Sequence, residues 1–477
     1  MSRMVPRAVL VYLVIISVLA VSPGTWCREH GHMRRGWRNA AAVHGNHHQR
    51  HRHSEHRVPR WTANSIEFQE TKIQVLASSS SPSSVPATFN VLDFGAKGDG
   101  KTDDTKAFDA AWYAACKLTG PTVLVPSGYT FLVKPISFSG PNCGPNIVFQ
   151  LEGKIIAPTG SQAWGSGILQ WIEFTKLSKI TIKGNGVIEG QGSVWWSNSM
   201  ADTTTGLNKM PSTKPTALRI YGSTDVTVTG ITIQNSPQTH LKFDACTNVQ
   251  VSGVTVSSPG DSPNTDGIHL QNSKTVLIHD SSLACGDDCV SIQMGCSDVL
   301  IHNVNCGPGH GISIGGLGRD YTKACVSNIT VRDSTMANTL TGVRIKTWQG
   351  GSGAVQNVMF SNIRVSEVAT PIMIDQFYCD KGRCENDTAA VAVSGVTYEN
   401  IRGTYTYQPV HFACSDSLPC VGVSLTTIQL QQAQPSSHSN DPFCWETYGE
   451  LKTTTVPPIG CIQKGKPSES PSQLITC

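Results

Sequence analysis

The sequence predicts an all-β solenoid, a parallel β-helix closed at its N-terminal end by a short capping helix. Short strands rich in Val, Ile and Thr recur from residue 179 onward at about 22 to 30 residues per unit, the range of stacked repeats. No helix-length apolar pattern separates them, and a single stretch near residues 104–117 has convincing helical periodicity. At 15% charged residues with 44 Gly, the composition is that of a compact, turn-rich β protein and excludes a disordered or membrane-embedded chain.

The elements follow in chain order. Residues 1–27 approximate a signal peptide: Arg3 and Arg7 lead, Ala8 to Val21 is apolar, and Ser22 and Gly24 follow. That apolar run is too short to span a bilayer core, so export is expected. Residues 28–88 form a basic, His- and Arg-rich and then Ser/Pro-rich extension, without apolar periodicity, expected to be disordered. Order is expected from Phe89, and residues 89–477 form the catalytic domain.

Thr102-Asp103-Asp104-Thr105 followed by Ala107, Phe108, Ala111, Trp112 and Ala115 reads as a polar helix start with an apolar stripe. The strands then include Ile180–Ile182, Val226–Val228, Val249–Val251, Val276–Ile278, Val299–Ile301, Ile329–Val331, Val358–Phe360 and Val396–Tyr398. Leucine-rich repeats share the period but need leucines that are missing here. A β-sandwich would space its strands about 8 to 12 residues apart. Several short strands per unit suit a β-helix, whose open end the helix would cover.

Charge is unevenly placed. The formal +3 leaves −5 for residues 61–477 once the two leader arginines and a net +6 over residues 28–60 are set aside. An anionic ligand therefore needs a local basic cluster. Sixteen cysteines suit an oxidising compartment, and loss of Cys27 with the leader would leave an odd number. Cys285, Cys289, Cys296 and Cys306 could alternatively form a zinc cluster. Asn328-Ile329-Thr330 and Asn386-Asp387-Thr388 are glycosylation sequons.

Four stretches interrupt the repeats with polar residues about one coil apart: Asn264-Thr265-Asp266-Gly267, Gly286-Asp287-Asp288-Cys289, Gly309-His310-Gly311 and Arg344-Ile345-Lys346. Stacked along one face, they would form a column of roughly 14 Å, the reach of a few sugar units. Asn-x-Asp-Gly alone is a common turn, and Arg344 with Lys346 could be a solvated stripe. Adjacent Asp287 and Asp288 are harder to explain structurally, because they repel.

These four motifs, in this order and spacing, resemble the signatures of the plant polygalacturonase family of glycoside hydrolases. The segment Gly95 to Asp104 is similar to that family's opening segment, and the likeness runs from about residue 89 to about 465. The resemblance implies a right-handed β-helix that hydrolyses α-1,4-galacturonosyl linkages in polygalacturonan, the acidic backbone of pectin, with inversion. It implies Asp287 as general acid, Asp266 and Asp288 as activators of the attacking water, and His310 beside the acid. Arg344 and Lys346 would hold a galacturonate carboxylate, Asn264 would touch water or sugar, and Tyr378 would lie further along the cleft. The resemblance also points to a Cys289–Cys306 disulfide, clamping the coil of the acid to that of the histidine.

Glycoside cleavage needs one protonated and one ionised carboxyl, and clustered aspartates retain a proton longer than a lone one. Inverting pairs usually stand about 6.5 to 9.5 Å apart, wider than one coil step. The expected partner is polygalacturonan or pectin, with no nucleic acid, no membrane after signal cleavage, no metal or cofactor, and a monomeric state. The expected location is extracellular, in the cell wall, where the basic extension would act as a tether or a pro-segment. Alternatives are exo-action, a related pectin hydrolase, or a non-catalytic wall-binding protein. Rhamnogalacturonan hydrolases generally lack the Arg-x-Lys pair, and pectate lyases need calcium-binding carboxylates.

Overall fold

The computed structural model describes residues 87–196, 210–379, 384, 386–434, 441–467 and 477. All lie in one compact unit, Ser80–Cys477. The expected leader and nearly all of the basic extension lie outside the described residues. Thr88, expected in the extension, already pairs with Thr122 as the first residue of a strand.

The chain is a right-handed parallel β-helix. Among the described residues, one long sheet has 19 strands and a second has 11. The strands of the second sheet are numbered here β1 (Ile136–Ser139), β2 (Gln170–Thr175), β3 (Thr216–Tyr221), β4 (Leu241–Asp244), β5 (Ile268–Gln271), β6 (Val290–Ile292), β7 (Ile312–Leu317), β8 (Thr341–Thr347), β9 (Thr370–Asp375), β10 (Val410–Ala413) and β11 (Phe443–Trp445).

Alternation within each strand decides which face is core. Leu218, Leu241, Ile268, Val290, Ile312, Val343, Ile372 and Val410 occupy one register and all have zero exposure. Each such side chain contributes about 1.5 to 3 kcal/mol by leaving water. The residues between them must face outward, which makes β3 to β11 a continuous platform. At the corners of the coils, Asn328 and Asn357 adopt positive φ (57° and 61°), a conformation Asn tolerates. Their amides form a ladder, Asn357 Nδ2 to Asn328 Oδ1 at 3.0 Å and Asn328 Nδ2 to Asp298 Oδ1 at 2.8 Å.

The helix spans Thr105–Cys116 and buries Ala107, Phe108, Ala111, Trp112 and Ala115, the stripe expected from sequence. Trp112 packs 5.0 Å from Phe138 and 5.6 Å from Phe174, so the helix seals the end of the core. The solenoid starts well before residue 179: Thr88–Asn90, Thr122–Val125 and Val148–Leu151 are consecutive rungs. These strands have three or four residues, and buried Phe131, Phe138, Phe149 and Phe174 stand where later coils use Val and Ile. That hides the repeat.

Cys289 and Cys306 are disulfide-bonded, as are Cys116–Cys143, Cys325–Cys477, Cys379–Cys384, Cys414–Cys420 and Cys444–Cys461. The bond removes two of the four thiols from the alternative zinc cluster. Cys285 and Cys296, the other two, are buried free thiols, as is Cys246. Among the described residues, no helix is long and apolar enough to cross a membrane.

Candidate active site

The polar residues gather on the platform of the 11-stranded sheet, around an open recess of about 390 Å³. Asn264, Asp266, Asp287, Asp288, Lys346 and Tyr378 line it, and His310 and Arg344 stand behind, bonded to Asp287 and Asp288. All eight residues expected from sequence are therefore brought together.

Their stacking differs from the expected single column. The register of β5, β6 and β7 makes Asp266, Asp288 and His310 equivalent positions on successive coils. Arg344 belongs to a neighbouring column, opposite Ser313 of β7, and Lys346 lies two residues further along. Long side chains bridge the difference. Arg344 Nη2 donates to Asp288 Oδ1 at 2.6 Å and Lys346 Nζ to Asp288 Oδ2 at 2.8 Å. Ser313 Oγ donates to Asp288 Oδ1 at 2.8 Å and accepts from Arg344 Nε at 3.0 Å. The pair is thus no solvated stripe: Arg344 and Lys346 are each 6% exposed and Asp288 is 2%.

Close backbone approach makes this possible. A Cβ on Gly286 would fall 1.9 Å from the Ser262 carbonyl, and one on Gly311 would fall 2.1 Å from that of Thr341. Glycine lets both turns settle against the neighbouring coil. His310 N donates to the Asp287 carbonyl at 2.7 Å, which fixes the two turns together.

Asp287 takes His310 Nδ1 at 2.9 Å on Oδ1 and Asn264 Nδ2 at 3.3 Å on Oδ2. Burial pushes its carboxyl up, but the His310 hydrogen bond and the charges of His310, Lys346 and Arg344 outweigh burial and bring it down to about 2. Asp266 moves the other way. Burial raises it, with Asp287 and Asp288 acting in the same direction, against a hydrogen bond from His269. Of these two carboxyls it is Asp266 whose pKa is raised, whereas the expectation placed the retained proton on Asp287. Both carboxyls are buried, and what separates them is that His310, Lys346 and Arg344 act on Asp287.

Asp287, Asp288 and His310 each place a potential ligand atom within 4.8 Å of the others. Such a donor set could attract a cation, but both oxygens of Asp288 already face an ammonium or a guanidinium. A metal ion would have to displace them.

Residues 116–443 match the model of the glycosyl hydrolases family 28. The chain belongs to this family. It is similar to a polygalacturonase of Malus domestica, 40% identical over 382 residues that cover 79% of this chain and 81% of that one. It is also similar to a polygalacturonase of Persea americana, 42% identical over 354 residues, 73% of this chain and 75% of that one. In fold it resembles the polygalacturonase from Erwinia carotovora ssp. carotovora, with a TM-score of 0.59 at 22% identity, covering 79% of this chain and all (100%) of that one.

This family-28 hydrolase also places residues in its cleft that the sequence motifs did not single out. His269 Nδ1 lies 3.0 Å from Asp266 Oδ2, forming a second carboxylate–imidazole pair one coil from the first. Its position three residues after Asp266 was the available signal, since strand alternation turns it to the platform. Ser313, which ties Arg344 to Asp288, and Gln293, Lys242 and Trp348 had no such signal. Trp348 meets the Tyr378 ring edge-on at 5.3 Å, and Lys346 Nζ sits 5.1 Å above that ring.

Proposed function

We propose that this glycoside hydrolase cleaves α-1,4-galacturonosyl linkages in polygalacturonan, outside the cell and in the wall. One observation carries the reading: a nearly buried Arg–Lys pair meets the carboxylates at Asp288, beside the Asp287–His310 pair. Neutral glycans offer nothing for two desolvated cations, whereas a uronate offers a carboxylate that both can share. The names of the relatives, all polygalacturonases, agree.

Asp287 is the general acid and protonates the departing glycosidic oxygen. Asp266 and Asp288 hold and deprotonate the attacking water, giving inversion. A uronate carboxylate beside Lys346 and Arg344 cancels much of their effect and adds its own negative charge, so substrate raises the pKa of the acid as it binds. Asn264 fixes the second oxygen of Asp287, and Tyr378 supports Lys346.

The ligand atoms of Asp287 and Asp288 lie within 4.8 Å, tighter than the usual inverting separation of about 6.5 to 9.5 Å. Inversion is therefore tested directly, by the anomer first released from polygalacturonan in proton NMR. The activity itself is tested by reducing ends released from de-esterified polygalacturonan, with Asp287→Asn as control. The general-acid contribution is about 10² to 10⁴-fold, so the variant should lose at least that much. Product that absorbs in the ultraviolet as an unsaturated uronide would instead indicate a lyase. Rapid viscosity loss per reducing end would mark internal cuts, and slow loss end-wise trimming.

A further inference from the structure

We propose that the outward faces of β9, β10 and β11 extend the cleft beyond the cation pair as a sugar-stacking platform that accepts uncharged, methyl-esterified galacturonate units. This rests on the polygalacturonan reading and adds to it a pattern of esterification.

Register carries the proposal. Arg344 is followed on successive coils by Met373, His411 and Phe443, and Lys346 by Asp375, Ala413 and Trp445. The intervening Ile372, Ile374, Val410 and Phe412 have zero exposure and point inward. The six outward positions therefore face the same side as the cation pair, along three coil steps, or about 14 Å. A polymer held at Arg344 and Lys346 and running along the solenoid axis must pass over them.

The chemistry of that strip differs from the cleft it continues. Phe443 is 36% and Trp445 44% exposed, large aromatic side chains on the last described strand of the sheet. The His411 and Phe443 rings stack at 5.1 Å with 23° between planes. Trp445 Nε1 donates to Asp416 Oδ1 at 2.7 Å, which holds the indole in one orientation. Aromatic faces suit the C–H face of a sugar ring, and rings already fixed lose little entropy on contact. None of the six positions is Lys or Arg, and one is an acid, Asp375. At these six positions a bare carboxylate thus meets no lysine or arginine, while an ester finds apolar surface. Trp445 also lies beyond residue 443, where the family match ends.

The test is the double variant Phe443→Ala/Trp445→Ala, whose side chains are exposed and make no core. Substrates are a short bare oligomer ending at the cation pair and long oligomers spanning the coils beyond, bare or partly esterified. KM for the long esterified oligomer should rise about tenfold with kcat retained, and the short one should be unaffected. Products of the wild type should carry esters in the units that lay over the strip. Equal KM for wild type and variant on the long esterified oligomer overturns the proposal. A wild-type dimer in gel filtration that the variant abolishes also overturns it, because a second copy would then cover the strip. A wild type that fails on bare polygalacturonan would sink the underlying reading instead.

Discussion

Lys346→Ala removes one of the two cations that meet at Asp288, and the structure sets the size of the effect. Stripping the partner from a buried ion pair commonly costs about 3 to 5 kcal/mol. Here Asp288 keeps Arg344 at 2.6 Å and the Ser313 hydroxyl at 2.8 Å, so it is not left bare. The loss is closer to one charge-assisted hydrogen bond, about 1.5 to 3 kcal/mol. If the same ammonium holds the substrate carboxylate, kcat/KM on bare polygalacturonan should fall roughly 10 to 150-fold. The pH profile should move as well. After burial, which acts upward, and His310, Lys346 is the next group holding the Asp287 carboxyl down. Its removal raises the pKa of the acid. A general acid works protonated, so the alkaline limb should shift to higher pH while the maximum rate drops. Initial rates against pH on pectins of graded esterification, with thermal unfolding as a control for folding, read all three effects. A variant that keeps its rate and its full preference for bare polymer would refute a carboxylate-reading role for Lys346.

His269→Gln should shift the acidic limb of kcat/KM upward, because Asp266 loses a partner that lowers its pKa and must be ionised to activate water; an unmoved limb would make His269 structural only. His310→Ala should reduce kcat and raise the pKa of Asp287, moving the alkaline limb up with little change in KM; a change in KM alone would reassign it to sugar binding. Replacing Cys289 and Cys306 with serine should lower stability by about 3 kcal/mol in the chain-entropy model, read by urea unfolding, and an unchanged midpoint would contradict the clamp. Binding of digalacturonate should take up protons, because its carboxylates raise the pKa values around them; calorimetry in two buffers of different ionisation enthalpy would show release, or no exchange, if that is wrong.

How much of this could be read beforehand depended on periodicity. Coils built on Val/Ile ladders, such as Val276 and Ile278 against Val299 and Ile301, announce themselves, because the inward register repeats the same residue types. The early coils do not, because Phe131, Phe138 and Phe149 fill the helix-capped end with rings on short strands. Site residues were legible where chemistry departed from turn statistics, as in Asp287-Asp288. Their geometry was not. Motif order suggests a simple stack, yet Arg344 sits opposite Ser313 and reaches back to Asp288. Reach of that kind depends on side-chain length and on which polar neighbour stands between. His269 is marked in the sequence only by its place three residues after Asp266 in an alternating strand, a spacing too common to stand out until the contact with that carboxylate is seen.

The charges of the cleft explain why its cations rest on an aspartate. Asp266, Asp287 and Asp288 share the cleft with Lys346 and Lys242, with Arg344 behind them on Asp288. Burial raises the pKa of Asp266, and the neighbouring Asp287 and Asp288 act in the same direction. Arg344 and Lys346 could not stay desolvated in an empty cleft without a counter-ion, and Asp288 supplies one on its own backbone turn. A uronate then brings the second negative charge to a site already organised for it. The cations need only share their donors between Asp288 and the sugar, so little reorganisation opposes binding. The added charge also favours protonation nearby, at the acid that must donate. Recognition of the carboxylate and arming of Asp287 are on this account the same electrostatic event, which is why loss of Lys346 should be felt in both the ester preference and the pH profile.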